Sequence, residues 1–232
     1  MTDSLQTAIE ALYAAFARYP LRAHIDGCPH CDLEDAERGL HAKPLRELTA
    51  DDLGDYAWKA MTTFGNVDDF RHFFPRIAEI ITYEGLAGAC DVAILARKLT
   101  RGDWRRWPEP ERVAIFDWLG ALEKTYAHGA ALVCGDAFDL LDVSTELCGT
   151  VEPFLEIWFD ASSEQAVGDL AYFVTTLPPA ADDRRDWAHA VYARIRADRA
   201  RIERTLTAGR VGADDRWLVS HALEALALPP FA

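Results

Sequence analysis

The stretch SLQTAIEALYAAF, residues 4–16, carries the pattern that recurs along most of this 232-residue chain. Its large apolar side chains fall at the spacing of one helical face: Leu5, Ile9, Leu12 and Phe16. Spacings of three and four residues place side chains on one side of an α-helix, because the helix has about 3.6 residues per turn. The stretch therefore predicts an amphipathic helix that ends before Pro20.

The same periodicity predicts an all-α protein of about ten helices. Beyond the first, we expect helices at about 33–40, 49–61, 66–83, 88–99, 109–127, 136–147, 152–160, 163–176, 183–207 and 214–228. Pro75 either kinks the 66–83 helix or opens a new one. Strand patterns are nearly absent, and 130–134 is the best candidate. The fold class is therefore predicted to be all-helical.

Short turns between these helices favour antiparallel pairs, in an irregular bundle or an α-solenoid-like arrangement. Half of the residues are apolar, so a large core can be buried. We predict a single helical domain over residues 1–232, with an irregular segment at 20–45. The proline pair Pro178-Pro179 marks the clearest break, and a sub-boundary is expected near 178–182.

The charge balance excludes nucleic acid as the expected partner. The formal net charge is −14, whereas a nucleic-acid-binding surface needs a basic face. One segment differs from the rest: residues 182–210 carry eight arginines against five acidic residues. This Arg-rich helix, at about 184–210, is either a solvated face or a docking strip for an acidic partner, including a second copy of the chain.

The chain is expected to be cytoplasmic, with no membrane partner. No apolar run approaches the roughly 18–20 residues that span a bilayer, and the first residues lack a signal-peptide pattern. Cytoplasmic thiols are kept reduced, and five cysteines do not indicate a disulfide framework. We expect Cys90, Cys134 and Cys148 to be small core residues.

The run HIDGCPHC, residues 24–31, is the most chemically specific feature of the sequence. Two residues separate Cys28 from Cys31, a spacing at which a tight turn can present both sulfurs to one ion. Structural zinc requires four nitrogen or sulfur ligands in a tetrahedron. The two cysteines supply half of such a site.

Histidines elsewhere in the sequence are the predicted remaining zinc ligands. We predict His24 and His72, with His41 in reserve. The ion would fasten the 20–45 segment to the helix that carries His72, and so replace the apolar burial that this segment is expected to lack.

A thiol–disulfide oxidoreductase is the first alternative. Cys-Pro-His-Cys is the active-site tetrapeptide of strongly oxidising thioredoxin-fold enzymes, in which the first cysteine begins a helix and has a low pKa. Here Cys28 would be the nucleophile and Cys31 the resolving thiol. Residues 32–35 look like a helix start, but no buried strand precedes the motif. Two ordinary reduced thiols in a loop are the remaining interpretation.

A carboxylate and histidine metal enzyme is the second alternative. Asp69 with His72, and Asp186 with His189, each place a carboxylate and an imidazole three residues apart on one helix face. Di-iron bundles use such pairs, but with Glu at the first position and two further Glu on other helices. Ordinary surface pairs explain the same pattern.

The segments GCPHC at 27–31 and DFRHFFPRI at 69–77 together resemble an uncharacterised family of bacterial all-helical proteins. The resemblance covers residues 20–85 and includes PLREL at 44–48 and TTFG at 62–65. It implies no activity. It does imply that the thiol pair and the His72 segment occur together.

These features predict a binding or interaction module with a structural zinc site, and more readily a non-enzyme than an enzyme. The partner would be a protein or a small molecule. A second copy of the chain is one such protein, so a homo-oligomer is among the expected assemblies.

Overall fold

The computed structural model describes residues 3–86, 91–129, 135–176, 187–212 and 215–228. These residues form twelve α-helices and no strand, which confirms the all-α prediction. The helices are α1 Asp3–Phe16, α2 Glu34–His41, α3 Ala50–Lys59, α4 Val67–Tyr83, α5 Val92–Arg101, α6 Glu109–His128, α7 Ala137–Cys148, α8 Glu152–Trp158, α9 Glu164–Thr176, α10 Ala188–Ala197, α11 Arg199–Ala208 and α12 Arg216–Leu226. Two short 3₁₀ turns, Leu45–Glu47 and Trp104–Arg106, join helices in the first half.

Reciprocal side-chain caps begin three of these helices. At α4, the Asn66 side chain accepts hydrogen bonds from the first-turn backbone, and the Asp69 carboxylate accepts one from the Asn66 N–H. The same reciprocal arrangement opens α3 at Thr49 and α7 at Asp136. It satisfies backbone donors that have no partner inside a helix, which is why these starts are sharply defined.

Helix α4 runs unbroken through Pro75, so the sequence-based expectation of a second helix opening there is wrong. Proline removes one backbone donor from the helix. Three apolar side chains close to it are fully buried: Phe73, Phe74 and Ile77. Burial of this aromatic face offsets the missing hydrogen bond and keeps the helix continuous.

The helix predicted at 183–207 is two helices, α10 and α11, within the residues described. They are separated by Asp198, whose backbone leaves the helical region at φ −104° and ψ 19°. Its carboxylate accepts a hydrogen bond from Arg194 Nε at 2.9 Å. No glycine or proline marks this break, so the sequence pattern alone could not reveal it. The predicted residues 183–186 lie outside the described residues.

Internal contacts divide the chain into two compact units after Ala121, inside α6. The single domain expected from the sequence stays a prediction. The expected sub-boundary at 178–182 lies outside the described residues. In the first unit, hereafter the N-terminal unit, α1 packs on α4, and α3 contacts both α2 and α4. In the second, the C-terminal unit, α9 contacts α12, α11 and α7. Contacts between helices distant in sequence favour an irregular bundle over a solenoid, whose repeats touch only their neighbours.

Three further expectations have mixed outcomes. Cys148 ends α7 and is half-buried, so it is not the core residue that we expected. Cys90, Cys134 and the candidate strand at 130–134 lie outside the described residues. None of the described helices combines the length and apolar character needed to cross a bilayer.

Candidate functional site

The Cys-Pro-His-Cys motif lies in a loop, residues 26–33, that two backbone hydrogen bonds attach to the α3–α4 turn. The Cys28 N–H donates to the Thr63 carbonyl at 2.8 Å, and the Gly65 N–H donates to the Asp26 carbonyl at 2.6 Å. Between them, Gly27 and Phe64 form an isolated antiparallel bridge. We call residues 26–33 the CPHC loop. Main-chain bonds hold it in place, whereas the cysteine thiols interact with groups of the loop itself; Cys28 Sγ lies 4.0 Å from His30 Nδ1.

Glycine is required at two positions of this contact. A Cβ atom on Gly27 would lie 2.7 Å from Leu33 Cδ1, so a larger residue would displace the buried Leu33 side chain. Gly65 has φ +70°, a left-handed conformation that other residues adopt only at a cost. Both glycines therefore belong to the contact between the CPHC loop and the α3–α4 turn: Gly27 leaves room for Leu33, and Gly65 adopts the left-handed conformation.

A tight turn brings the two thiols of the loop together. The Cys31 N–H donates to the Cys28 carbonyl at 3.0 Å, which closes the four-residue turn, and both side chains are half-buried. Hydrogen bonds from the His30 backbone N–H and the Cys31 thiol lower the pKa of Cys28. The pKa of Cys31 is raised, because its thiol proton is engaged by Cys28. Cys28 is therefore the thiol that ionises first.

The surroundings of the loop differ from the thioredoxin arrangement. Helix α2 begins at Glu34, so neither Cys28 nor Cys31 lies in its first turn. Within the described residues no strand feeds into the motif. The helix N-terminus that stabilises a thiolate in those enzymes is therefore displaced from the cysteines here.

Two of the predicted ligand histidines face a carboxylate. His24 donates from Nδ1 to Glu37 Oε1 at 2.9 Å, and His41 Nε2 lies 3.7 Å from the same oxygen. Glu37 also accepts from the Ile25 N–H at 2.8 Å, and these contacts lower its pKa, the backbone hydrogen bond most strongly. Glu37 thus gathers His24 and His41 beside the CPHC loop.

His72, the other predicted ligand, is half-buried on α4. It donates from Nδ1 to the Tyr19 carbonyl at 2.8 Å, and burial lowers its pKa. The Nδ1 bond fixes the proton on that nitrogen and leaves Nε2 as an acceptor. No protein group in the described ranges takes up Nε2.

Of the four predicted zinc ligands, the structure brings together Cys28 and Cys31. Among the residues described, no group of three or more His, Cys, Asp or Glu side chains is placed to hold a metal ion. Neither His24 nor His72 therefore joins the thiols as the side chains stand. Zinc at this site remains a prediction.

The expected lack of apolar burial in the 20–45 segment is wrong. Ile25, Leu33 and Leu40 are buried, and with the backbone bonds from the α3–α4 turn they attach the segment to the N-terminal unit. The sequence pattern hid this, because these residues are isolated among polar neighbours. Apolar burial and backbone hydrogen bonds therefore contribute to fastening the segment.

The Asp69–His72 pair serves structural roles on α4. Asp69 is buried, caps the helix and also pairs with Arg22 at 3.2 Å, while His72 points to the Tyr19 carbonyl. Asp186 lies outside the described residues, and His189 is exposed on α10. The carboxylate and histidine enzyme remains an untested alternative.

A cleft of about 660 Å³ in the N-terminal unit was not anticipated from the sequence. Residues of α1, of the Leu45–Glu47 turn and of α4 line it, and most of its wall is apolar: Tyr13, Phe16, Tyr19, Pro44, Leu45 and Pro75. His72 also lines it. The contributing segments are far apart in sequence, and no spacing rule connects them. Of the lining residues, His72 alone had been predicted from the sequence to have a chemical role, and that role was zinc binding.

Ion pairs within the C-terminal unit engage part of the Arg-rich segment. Arg194 pairs with Glu152 at 2.8 Å and with Glu156, and Arg201 pairs with Glu156 at 2.8 Å and Asp160 at 2.7 Å. We call these five residues the arginine network. Its two arginines stabilise the unit, so the predicted docking strip would depend on other residues.

The fold and the loop define an all-helical protein that presents a surface dithiol. No family model, curated protein or solved structure matches the chain. Function must therefore be argued from the geometry of the described residues.

Proposed function

We propose that this chain is a cytoplasmic, non-enzymatic binding module whose CPHC loop holds a zinc ion through Cys28 and Cys31. One observation carries the proposal: a backbone-anchored turn places two half-buried thiols together and favours ionisation of one of them. Thiolate is the form that binds zinc. A loop whose main chain is already fixed loses little conformational freedom when its side chains bind an ion.

His24 is the proposed third ligand. Its side chain is 70% exposed, and only the surface contact with Glu37 holds it. Exposed pairs of this kind contribute about 0.2–1 kcal/mol, far less than a zinc–nitrogen bond. Zinc could therefore draw His24 away from Glu37 at small cost. That His72 supplies the fourth ligand remains the sequence-based prediction.

A zinc ion held by Cys28, Cys31 and His24 alone keeps one open position, which a donor side chain of a protein partner can fill wherever His72 does not. The zinc ion could then bind the module to its protein partner through this open position. The ion would then be part of the interface and not a support of the fold, because buried apolar residues and backbone bonds already hold the loop.

The test is a titration of the reduced, chelator-treated full-length chain with Co²⁺, followed by displacement with Zn²⁺. We expect thiolate-to-cobalt absorption that saturates at one metal per chain and is lost in Cys28→Ser and Cys31→Ser. Cys148→Ser removes a thiol outside the Cys-Pro-His-Cys motif, at the end of α7, and is the matched control. His24→Ala should weaken binding without abolishing it.

Circular dichroism of the same samples separates the two roles that zinc could have. The chelated wild type should keep its helical signal if zinc is part of an interface. Saturable binding that survives in both Cys28→Ser and Cys31→Ser, or no saturable binding by the wild type, would refute the proposed site. Loss of helix on chelation would instead show that the ion supports the fold.

Thiol–disulfide exchange is a second candidate, favoured by the opposite pKa shifts of Cys28 and Cys31. The Cys28 thiolate would attack a partner protein's disulfide, form a mixed disulfide and release one partner thiolate. Cys31, on deprotonation, would then displace the second partner thiolate, so that the chain is oxidised and the partner reduced. Cys31→Ser should trap the mixed disulfide. A Cys28 alkylation rate equal to that of a free thiol peptide would rule this candidate out.

A further inference from the structure

We infer that the cleft formed by α1, the Leu45–Glu47 turn and α4 binds a small, uncharged aromatic molecule that donates one hydrogen bond to His72 Nε2. The cleft lining does not include the CPHC loop, but it shares His72 with the predicted zinc site, so the experiment below distinguishes the two roles of this residue. The volume of the cleft, about 660 Å³, lies within the range of small-molecule pockets.

The walls of the cleft suit a flat apolar ligand. Tyr13, Phe16 and Tyr19 contribute aromatic rings, and Pro44 and Pro75 contribute rigid apolar surfaces. Aromatic rings pack well against other rings in offset or edge-on arrangements. Phe16 and Pro75 are largely buried, so packing against the rest of the unit fixes the position of this part of the cleft wall.

Most polar groups of the lining already have partners. The Tyr13 hydroxyl donates to Glu79, and the Tyr19 hydroxyl donates to Glu111 at 2.7 Å. Arg46 forms a two-pronged ion pair with Glu10, at 2.9 and 2.6 Å, and its guanidinium lies over the Tyr13 ring. A charged ligand would find no free opposite charge there except the exposed Glu47 carboxylate at the edge.

His72 offers an uncharged polar atom in the lining whose orientation is fixed by another hydrogen bond. Its Nδ1–H is held by the Tyr19 carbonyl at 2.8 Å, which turns Nε2 into a fixed acceptor. Within the described residues no group donates to Nε2, and His72 lines the cleft, so a bound molecule can supply the donor. An acceptor at an apolar wall selects ligands that carry a hydroxyl or an N–H.

The experiment uses two matched pairs of probes, phenol with anisole and indole with N-methylindole. Within each pair only the first has the donor. Binding to the full-length chain is followed by NMR of the histidine ring signals at about pH 8, where an ordinary imidazole is neutral. We expect saturable binding on the order of millimolar, with each donor about three- to tenfold tighter than its methylated partner.

Substitutions then locate the acceptor. His72→Phe keeps a ring but removes Nε2, and should abolish the advantage of phenol and indole. His72→Asn can donate from Nδ2 to the Tyr19 carbonyl and lacks Nε2; its amide oxygen is an acceptor on a shorter side chain that does not reach the Nε2 position, so this variant should also lose the donor advantage if His72→Phe folds poorly. His221→Phe is the matched control, because His221 also donates from Nδ1 to a backbone carbonyl, that of Trp217 at 2.9 Å.

Three results would overturn the inference. The first is that no probe binds saturably, and the second is that methylated probes bind as tightly as the donors. The third is a donor advantage that persists in both His72 variants. The zinc titration is repeated on His72→Asn: unchanged metal binding supports the cleft role of His72, and lost metal binding assigns the residue to the ion instead.

Discussion

The CPHC loop and the arginine network are both polar, but different parts of the chain hold them in place. Backbone hydrogen bonds to Thr63 and Gly65 fix the loop, and its cysteine side chains remain available. In the C-terminal unit, the side chains of Arg194 and Arg201 are engaged in ion pairs, among them those with Glu152 and Asp160. The thiols of the CPHC loop are therefore more available to a ligand than the arginines of the arginine network, because main-chain hydrogen bonds hold the loop in place.

Buried polar groups of the C-terminal unit extend this comparison. Glu123 accepts from the Ser144 hydroxyl at 2.8 Å, and Tyr126 donates to Asp169 at 2.6 Å. Burial raises the pKa of Glu123 to about 7 and also raises the pKa of Asp169. These side chains serve packing and hydrogen bonding and are not presented to a ligand.

The largest expected effect is the pH dependence that Glu123 confers. Its pKa is raised from 4.5 to about 7, so the folded chain binds more protons than the unfolded chain between these values. Stability is therefore lost as the pH rises from about 4.5 to about 7, by about 3 kcal/mol. Glu123→Gln should remove this loss, and denaturant unfolding at about pH 4 and about pH 8 measures it.

The exposed Glu224→Gln serves as the control in the same unit and should leave the pH profile of the wild type unchanged. An identical profile for Glu123→Gln and the wild type would mean that Glu123 is not buried as described. The contrast between the two regions would then lose its clearest example.

The next effect concerns the backbone contact under the CPHC loop. Gly65→Ala forces a side chain into φ +70° and places a Cβ 3.1 Å from Asp69 and Ile25 atoms. We expect a loss of about 2–3 kcal/mol in the free energy of unfolding. Gly149→Ala has φ +73° and open space around the new Cβ, so only the conformational cost of about 1 kcal/mol is expected.

Equal losses in the two glycine variants would show that the loop contact is looser than the backbone bonds suggest. Zinc titration of Gly65→Ala tests whether the backbone contact also affects metal binding. If main-chain anchoring positions the thiols, this variant should bind metal more weakly although both cysteines are intact.

The smallest expected effect lies in the arginine network. Arg201→Met removes the pairs with Asp160 and Glu156 and should lower Tm by about 2–4 °C in low salt. Arg199→Met removes only the pair with Glu203 and should change Tm by about 1 °C or less. In about 1 M salt the difference should shrink, because exposed charges are screened. A difference that salt does not alter would point to packing by the arginine stem.

Sequence periodicity was sufficient for the helices and for several of their ends. The helix from Leu5 to Phe16 and the caps at Thr49 and Asn66 follow from spacing and local hydrogen bonding, which a sequence displays directly. The break at Asp198 and the continuity through Pro75 do not, because both depend on what the helices pack against.

The candidate site divides in the same way. The proximity of Cys28 and Cys31 follows from a spacing of three along a tight turn, and the sequence alone determined it. Tertiary structure decided where the histidines go: His24 turns to Glu37 and His72 to Tyr19, partners 13 and 53 residues away. It also created the cleft from three separate segments. The conformation of a short turn depends on the residues within it. The contact that a side chain makes with a residue distant in sequence depends on how the whole N-terminal unit packs.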